Sequence, residues 1–324
     1  MTKREKYMKK KYLSDVNSLQ RISITGAGGF IGQNLVRYLL NTGKYKLVLN
    51  YLSEKEIPVY IKKSPLCKII VGNLADIRIC RKLLKDTEIL VHLAQSVNPK
   101  KYEQSFDKSL LFNAEPTFNI FNLLIEAKNK IHLIFPSSGG TLYGINNSSC
   151  KETESPNPIS PYAVQKLMME DYIKLINKLN KNITANILRI SNPYGTLLNQ
   201  ERGQGFIGIA INNILHNRPI QVWDDINSIR DYIYTDDLCE AFIKSFNHKK
   251  DVEIFNIGSG TGTSLKQIIS VLENIYGQKV KYKILKTTRR FCAKKNILNI
   301  DKAKKTLKWN PKVSLITGIS KIIK

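Results

Sequence analysis

The stretch Arg21-Ile22-Ser23-Ile24-Thr25-Gly26-Ala27-Gly28-Gly29-Phe30-Ile31-Gly32 decides the fold. Its first five residues are a short β-prone run. A helical pattern follows the glycines, with Ile31, Leu35, Val36, Leu39 and Leu40 on one side. Strand, glycine-rich turn and helix, in that order, is the context that gives such glycines meaning. Gly26 permits the tight turn, Gly29 lets the backbone approach a pyrophosphate, and Gly32 lets the helix pack close to the strand. The helix N-terminus offers N–H donors and the positive end of its dipole to phosphates. A merely flexible loop is the plainer alternative, and it leaves the flanking strand and helix unexplained.

Working outward, residues 46–50 form the next strand, ending at Asn50. An acidic residue about 20 positions past the glycines would grip the adenosine ribose. Asn50 can still hydrogen-bond a hydroxyl, but it would not repel a 2′-phosphate, so NAD and NADP both remain open. Short apolar runs recur at residues 68–71, 89–92 and 131–135, with helical patterns at 77–84 and 112–127 between them. This alternation predicts an α/β fold, a Rossmann-type doubly wound parallel sheet. His92 closes one of these strands and reads as structural. Phe135-Pro136-Ser137-Ser138-Gly139-Gly140-Thr141-Leu142-Tyr143-Gly144 ends another strand, where open α/β sheets bind ligands. Past a strand at 183–190 the pattern changes. A helix at 206–215, extended runs at 220–223, 230–234 and 253–257, a helix capped by Asp236, another capped by Thr263, and two short helices in the tail follow. The expected layout is a polar extension over 1–20, a dinucleotide-binding domain over 21–190, and a smaller α/β lobe over 191–324 that binds mainly substrate. Some of that lobe's strands and helices return to the first domain.

Composition narrows the function classes. The chain has 324 residues, 42% hydrophobic and 24% charged, and a formal net charge of +25. Such a charge suits an anionic partner. However, Lys, Asn and Ile are abundant along the whole chain, and no basic stripe interleaved with aromatics stands out. Nucleic acid is therefore not the expected partner. The basic run at residues 3–11 precedes no apolar core of signal-peptide length. No segment approaches the ~20 apolar residues of a membrane span, so membrane insertion is not expected. Five cysteines, Cys67, Cys80, Cys150, Cys239 and Cys292, are scattered without metal-ligand spacing, and the four histidines do not cluster. Reduced thiols in a cytoplasmic protein account for them, and no metal site is expected.

Tyr162-Ala163-Val164-Gln165-Lys166 follows Ser160-Pro161 and opens an amphipathic run. Proline suits the first helical turn, and residues four apart share a helical face. An ammonium beside a phenol favours the phenolate, which would make Tyr162 a general base near neutral pH. A solvated helix start is the plainer reading of the same pattern.

In register, these segments resemble the extended short-chain dehydrogenase/reductases, and among them the UDP-glucose 4-epimerase-like sugar-nucleotide enzymes. The resemblance runs from about Ile22 to about Ile323. It rests on Thr25-Gly26-x-x-Gly29-x-x-Gly32, His92-Leu93-Ala94, the 137–144 segment, Tyr162-x-x-x-Lys166, Leu188-Arg189-Ile190-x-Asn192-Pro193-Tyr194-Gly195, Arg230-Asp231-Tyr232-Ile233-Tyr234-x-Asp236-Asp237 and Phe255-Asn256-Ile257-Gly258-Ser259-Gly260. The resemblance implies roles. Tyr162 takes a proton from a sugar hydroxyl, Lys166 lowers its pKa and holds the nicotinamide ribose, and a hydroxyl from Ser137-Ser138 completes the network. Gly26, Gly29, Phe30, Ile31 and Gly32 match the pyrophosphate loop. Asn50, Asn73, Leu74, Leu93, Ala94 and Asn113 match the adenosine and ribose lining, and Pro193 flanks the nicotinamide. Asn192, Arg230 and Arg289 match residues that hold the substrate's diphosphate, where a guanidinium fork is apt. A surface ion pair is the plainer reading of Arg230.

Three departures stand out. Asn50 and Asn73 replace an Asp common in NAD-binding relatives. Gly139 occupies the position of the usual catalytic hydroxyl, for which Ser138, then Thr141, is the substitute. Gly140-Thr141 stand where 4,6-dehydratases carry Asp-Glu, which argues against water elimination. The resemblance implies an NAD-dependent UDP-hexose 4-epimerase serving surface-polysaccharide precursor synthesis, acting as a homodimer through helices near 111–124 and 167–179. The alternatives are an NAD(P)H-dependent reductase of a 4-keto-6-deoxysugar nucleotide and a non-catalytic nucleotide-binding relative.

Overall fold

The computed structural model describes residues 19–95, 106–144, 149–198, 205–223, 225–286 and 294–323, and of 106–112 only the backbone course. The strands are β1 (Gln20–Thr25), β2 (Tyr45–Tyr51), β3 (Cys67–Val71), β4 (Ile89–His92), β5 (Ile131–Ser138), β6 (Ser149–Cys150), β7 (Ile183–Ile190), β8 (Asn192–Tyr194), β9 (Ile220–Trp223), β10 (Ile229–Tyr234), β11 (Val252–Ile257), β12 (Gly262–Ser264), β13 (Tyr282–Leu285) and β14 (Lys295–Leu298). The α-helices are α1 (Phe30–Thr42), α2 (Val59–Lys62), α3 (Ile77–Leu84), α4 (Phe106–Ile125), α5 (Pro161–Leu179), α6 (Phe206–Leu215), α7 (Thr235–Phe246), α8 (Leu265–Tyr276), α9 (Asp301–Leu307) and α10 (Leu315–Ile323).

Seven strands form one sheet in the order β11-β7-β5-β4-β1-β2-β3. The pairs β1/β2, β1/β4, β2/β3 and β4/β5 are parallel. Parallel strands require crossovers, and α1 makes the one from β1 to β2. This is the expected Rossmann-type doubly wound sheet. The chain falls into two compact units.

The first unit comprises residues up to Gln95, Asn113–Phe135 and Leu175–Ala185. Its central strands are buried on both faces, as strands covered by helices on each side are: Ile22 to Thr25 of β1 and all four residues of β4 are buried. Ile22, Ile24, Leu35, Leu47, Leu49 and Leu133 are fully buried together with them. The amphipathic pattern of α1 turns Leu35, Val36 and Leu39 inward, and Gly43 ends the helix in a left-handed conformation with its N–H on the Leu40 carbonyl.

The second unit comprises Ser96–Phe112, Pro136–Lys174 and Asn186–Lys324. It holds a sheet in the order β12-β10-β14-β6, with β8 also on β10, and a parallel β9/β13 ribbon. Tyr194, Ile207, Ile211, Tyr232, Ile268, Leu272 and Ile319 form its core. Two helix starts differ from the sequence reading. The cap of α8 is Ser264, not Thr263: Ser264 accepts from the Gln267 N–H while the Gln267 side chain accepts from the Ser264 N–H. Asp236 lies in the first turn of α7 rather than at its cap. Asp231, on β10, is fully buried. Its carboxylate accepts from Ser259 N and Oγ (2.7 and 2.8 Å), Gly260 N (3.1 Å) and Leu298 N (3.3 Å), tying β10 to the 258–260 turn and to β14.

Candidate active site

The first unit carries the glycine turn. Gly26 has φ +65°, and a Cβ there would lie 2.8 Å from the backbone N and Cα of Ala94. Glycine is therefore required twice over, for the left-handed backbone and for the close approach of the 93–94 segment. A Cβ on Gly32 would strike the Gly26 carbonyl. Gly29 is the N-cap of α1 and has no side chain to cap it, and the first turn holds no acid. The positive end of the helix, with the leading N–H groups of Phe30 and Ile31, thus meets no carboxylate from the helix's own first turn, which suits an anion site. The Ala27 N–H donates to the Asn50 carbonyl (3.1 Å), fixing the turn against the end of β2.

Asn50 is buried, and its Nδ2 donates to the carbonyls of Gly72 (3.0 Å), Ile70 (3.3 Å) and Tyr51 (3.4 Å). Carbonyls only accept, so they fix the amide's orientation and leave Oδ1 as the atom that can meet a ligand. A carboxylate also stands nearby: a Cβ on Gly28 would lie 3.1 Å from Glu56 Oε2 and 3.3 Å from the Tyr51 ring. Asn73 is exposed, and its Oδ1 accepts from Ala75 N (3.0 Å). Leu74 is buried and Leu93 and Ala94 half-buried. Asn113 is buried, and its carbonyl accepts from the Thr117 hydroxyl (2.8 Å).

The second unit carries the Tyr-Lys pair. Pro161 is the first residue of α5, and Ser160 Oγ accepts from Ala163 N (3.2 Å), a side-chain cap before a first-turn proline. One turn separates Tyr162 from Lys166, and Nζ of Lys166 lies 5.8 Å from the Tyr162 ring centroid. Lys166 Nζ donates to the carbonyl of Pro136 (2.9 Å), which joins α5 to the end of β5. Burial pushes the Lys166 ammonium down to about 8, and the Glu170 carboxylate works in the opposite direction.

Glu170 is one turn further along α5 and fully buried. Arg189, on β7, forks onto it through Nε (3.1 Å to Oε1) and Nη2 (2.7 Å to Oε2). The Ser137 hydroxyl donates to Oε1 (2.5 Å). Arg189 Nη1 also donates to the Tyr143 hydroxyl (3.0 Å), which donates to Asn256 Oδ1 (2.7 Å). Burial pushes the Tyr143 phenol up to about 12, so it remains a donor. Ser137 is thereby committed. Ser138 Oγ and Thr141 Oγ1, both half-buried, lie 3.0 Å apart and share a hydrogen bond. Between them, Gly139 cannot carry a side chain as the site stands. Its Cβ would lie 2.5 Å from Leu298 Cδ1 and 3.1 Å from the Arg189 carbonyl. Ile190 O and Asn296 Nδ2 hold its backbone N–H and carbonyl (2.8 and 3.1 Å).

Two of the three residues expected to hold a diphosphate, Asn192 and Arg230, lie in the same unit. Asn192 Nδ2 donates to the Asp231 carbonyl (2.9 Å), in the parallel pairing of β8 with β10, and Pro193 is half-buried beside it. Arg230, half-buried, donates from Nη1 to the Ile229 carbonyl (2.9 Å). Arg289 lies outside the described residues.

A family model described as "NAD dependent epimerase/dehydratase family" matches residues 22–258. The chain belongs to this family. It is 34% identical over 318 residues to a dTDP-4-dehydro-6-deoxyglucose reductase of Escherichia coli, covering 94% of this chain and 96% of that protein. It is 30% identical over 307 residues to a putative UDP-glucose 4-epimerase of Methanocaldococcus jannaschii, covering 93% and 97%. Among solved structures, the UDP-glucose 4-epimerase of Thermotoga maritima, determined with UDP-glucose, superimposes with a TM-score of 0.84 at 27% identity over 94% of this chain and 97% of that one. The UDP-glucuronic acid 4-epimerase of Bacillus cereus, with UDP-glucuronic acid and NAD, gives 0.83 at 26% identity over 94% and 98%. The protein is thus an NAD-dependent enzyme of the epimerase/reductase type. Glu170 is the residue the sequence reading passed over, and Arg189 was quoted there only as part of a motif, without a role. The available signal was a carboxylate four residues after Lys166, on the inward stripe of α5 with Ala163 and Ile173.

Proposed function

We propose that the protein is a 4-epimerase of a nucleotide-linked hexose. The observation that supports this best is the Lys166–Pro136 hydrogen bond, which holds the Tyr162-Lys166 helix to the strand end bearing Ser138 and Thr141. NAD, held by the glycine turn, would supply hydride transfer to and from the sugar's C4. Tyr162 accepts the C4 hydroxyl proton and later gives it back, Lys166 stabilises the phenolate, and the Ser138–Thr141 pair hydrogen-bonds the reacting oxygen. Gly26, Gly29, Phe30, Ile31 and Gly32 hold the cofactor's pyrophosphate; Asn73, Leu74, Leu93, Ala94 and Asn113 line the adenosine side, and Pro193 the nicotinamide. Asn192, Arg230 and Arg289 hold the substrate's diphosphate.

Asn50 Oδ1 selects NAD, because it can accept from a ribose hydroxyl, whereas a 2′-phosphate would bring only further oxygens. The Glu56 carboxylate works in the same direction. We further infer a homodimer in the cytoplasm, supplying sugar nucleotides for polysaccharide synthesis. Along α5 the exposed residues Val164, Tyr172, Leu175 and Leu179 form an apolar stripe suited to a second copy.

A second reading, reduction of a 4-keto-6-deoxysugar nucleotide, has the 34% likeness to the E. coli reductase in its favour. The two readings separate in one assay. An epimerase interconverts UDP-glucose and UDP-galactose, or another C4 pair, without added cofactor, and Tyr162→Phe loses at least about 10²-fold in kcat. Stoichiometric NADH consumption with a 4-keto sugar, and no interconversion, establishes the reductase instead. An undiminished Tyr162→Phe rate removes Tyr162 as the base.

A further inference from the structure

His92 sits in the middle of a proton-ordered chain of hydrogen bonds that the catalytic reading leaves unused. Its Nδ1 lies 2.9 Å from Thr25 Oγ1, and its Nε2 lies 3.1 Å from Thr117 Oγ1. Thr25 Oγ1 also accepts from the Ala94 N–H (3.0 Å), and the Thr117 hydroxyl donates to the Asn113 carbonyl (2.8 Å). Thr25, His92 and Thr117 are all buried, so each unmade bond is costly.

Counting protons picks out the one arrangement in which every hydroxyl hydrogen has an acceptor. A hydroxyl has one hydrogen to give. That of Thr117 goes to Asn113, so Thr117 can only accept from His92, and Nε2 must carry a proton. Thr25 already accepts from Ala94, and among the described residues Nδ1 is the acceptor its hydroxyl reaches. A bare Nδ1 is the arrangement that gives this hydroxyl an acceptor. The whole sequence reads Ala94 N–H to Thr25 O–H to His92 Nδ1, then Nε2–H to Thr117 O–H to Asn113 O.

The segments so joined are informative. Thr25 opens the glycine turn, Ala94 is the backbone against which Gly26 is packed at 2.8 Å, and Asn113 lies in α4. We propose that His92, as the neutral Nε2–H tautomer, is a positioning residue for the cofactor site. In this role it locks the glycine turn, the 93–94 segment and the Asn113 turn of α4 to one another. This rests on the reading that these three segments line the NAD site. A ring is apt here because it spans two hydroxyls with one donor and one acceptor in a fixed line. Phe135 stacks beside it (6.2 Å between centroids, 22° between planes) and limits its rotation.

The test has two arms. In the full-length protein labelled with 15N-histidine, long-range 1H–15N correlation should show His92 with a protonated Nε2 and a bare Nδ1. A protonated Nδ1, or averaging between tautomers, overturns the assignment whether or not NAD binds. The second arm measures the NAD dissociation constant by titration for wild type, Thr117→Val and Thr117→Ser. The valine removes the acceptor and should weaken NAD about fivefold to tenfold, the equivalent of one buried hydrogen bond. The serine restores the hydroxyl and should return affinity to within about twofold, since the bond itself is kept. Equal affinity of the valine variant, in protein shown to be folded by the Tyr and Trp near-ultraviolet signal, refutes the positioning role. Should Thr117→Val not fold, His92→Gln, which can keep one of the two bonds, takes its place and must weaken NAD by the same order. If wild type binds no NAD while the tautomer is as assigned, the cofactor-site reading fails and the hydrogen-bond chain stands.

Discussion

Replacing Glu170 by glutamine tests the centre of the second unit's polar core. The carboxylate is fully buried and accepts three hydrogen bonds, two from the Arg189 fork and one from Ser137. Glutamine keeps one acceptor oxygen. At the Oε1 position that oxygen keeps Ser137 and Arg189 Nε, and the new NH2 group then faces the Arg189 Nη2 donor. Arg189 is left nearly fully buried with its charge uncompensated. Breaking one side of a buried pair costs about 3–5 kcal/mol. At roughly 2 °C per kcal/mol for a protein of this size, the melting temperature should fall by about 6–10 °C. Urea unfolding monitored by circular dichroism measures this directly, with the midpoint falling and the slope unchanged. A double variant, Glu170→Leu with Arg189→Met, removes both charges and should recover most of the loss, because a buried pair is often no more stable than its apolar replacement. Tyr143 keeps its bond to Asn256 in that variant. Activity should not recover with stability. Ser137 has lost its anchor, and a small displacement of the neighbouring Ser138 costs up to about 10²-fold. A loss below about 1 kcal/mol for Glu170→Gln would mean the pair is not buried and ionised as described, and would refute the reasoning.

Two further substitutions probe the groups around the Tyr-Lys pair. Lys166 is held at about 8 by burial against an ordinary value of 10.5, so below pH 8 its charge weakens the fold. That penalty fades as pH rises from about 8 to 10.5, where the unfolded chain binds more protons than the folded one. Lys166→Met should therefore be more stable than wild type near pH 7, and the gap should close as the pH climbs through that window; thermal melts at several pH values read it, and a gap independent of pH rejects the assignment. Gly139→Ser should destabilise by about 1–3 kcal/mol through overpacking on Leu298. Adding Leu298→Ala should relieve part of that loss, giving a non-additive pair; a fully stable single serine variant would show that Leu298 does not fill the space.

The parallel sheet was legible because its signals are local. The run 21–25, the glycines and the α1 stripe lie within one short window, and β3, β4 and β5 each read as apolar runs at their observed places. The short strands of the second unit were harder. β6, β8, β12, β13 and β14 have two to four residues each, too few for a periodicity to emerge. Their extended form depends on partners distant in the chain, as when Ile297 pairs with Ser149. The same holds for the helix caps: Thr263 and Ser264 have similar cap chemistry, and only the Gln267 side chain reaching back decides between them.

Gly139 shows how a departure in sequence acquires a physical reason only in three dimensions. As a string, the missing hydroxyl reads as a lost catalytic group. In space, β14 has taken its room: Leu298 occupies the position of a side chain at 139, and Asn296 grips the Gly139 carbonyl. β14 is in turn fixed by Asp231, through the Leu298 N–H. Asp231 adjoins Arg230, and its own carbonyl accepts from Asn192. The chain's choice of glycine at 139 is thus coupled, through one strand and one buried carboxylate, to Asn192 and Arg230, two of the three residues proposed to hold the substrate's diphosphate. Restoring a hydroxyl at 139 would press on that strand before it added anything to catalysis. The Ser138–Thr141 pair, on either side of the glycine, supplies hydroxyls without that cost.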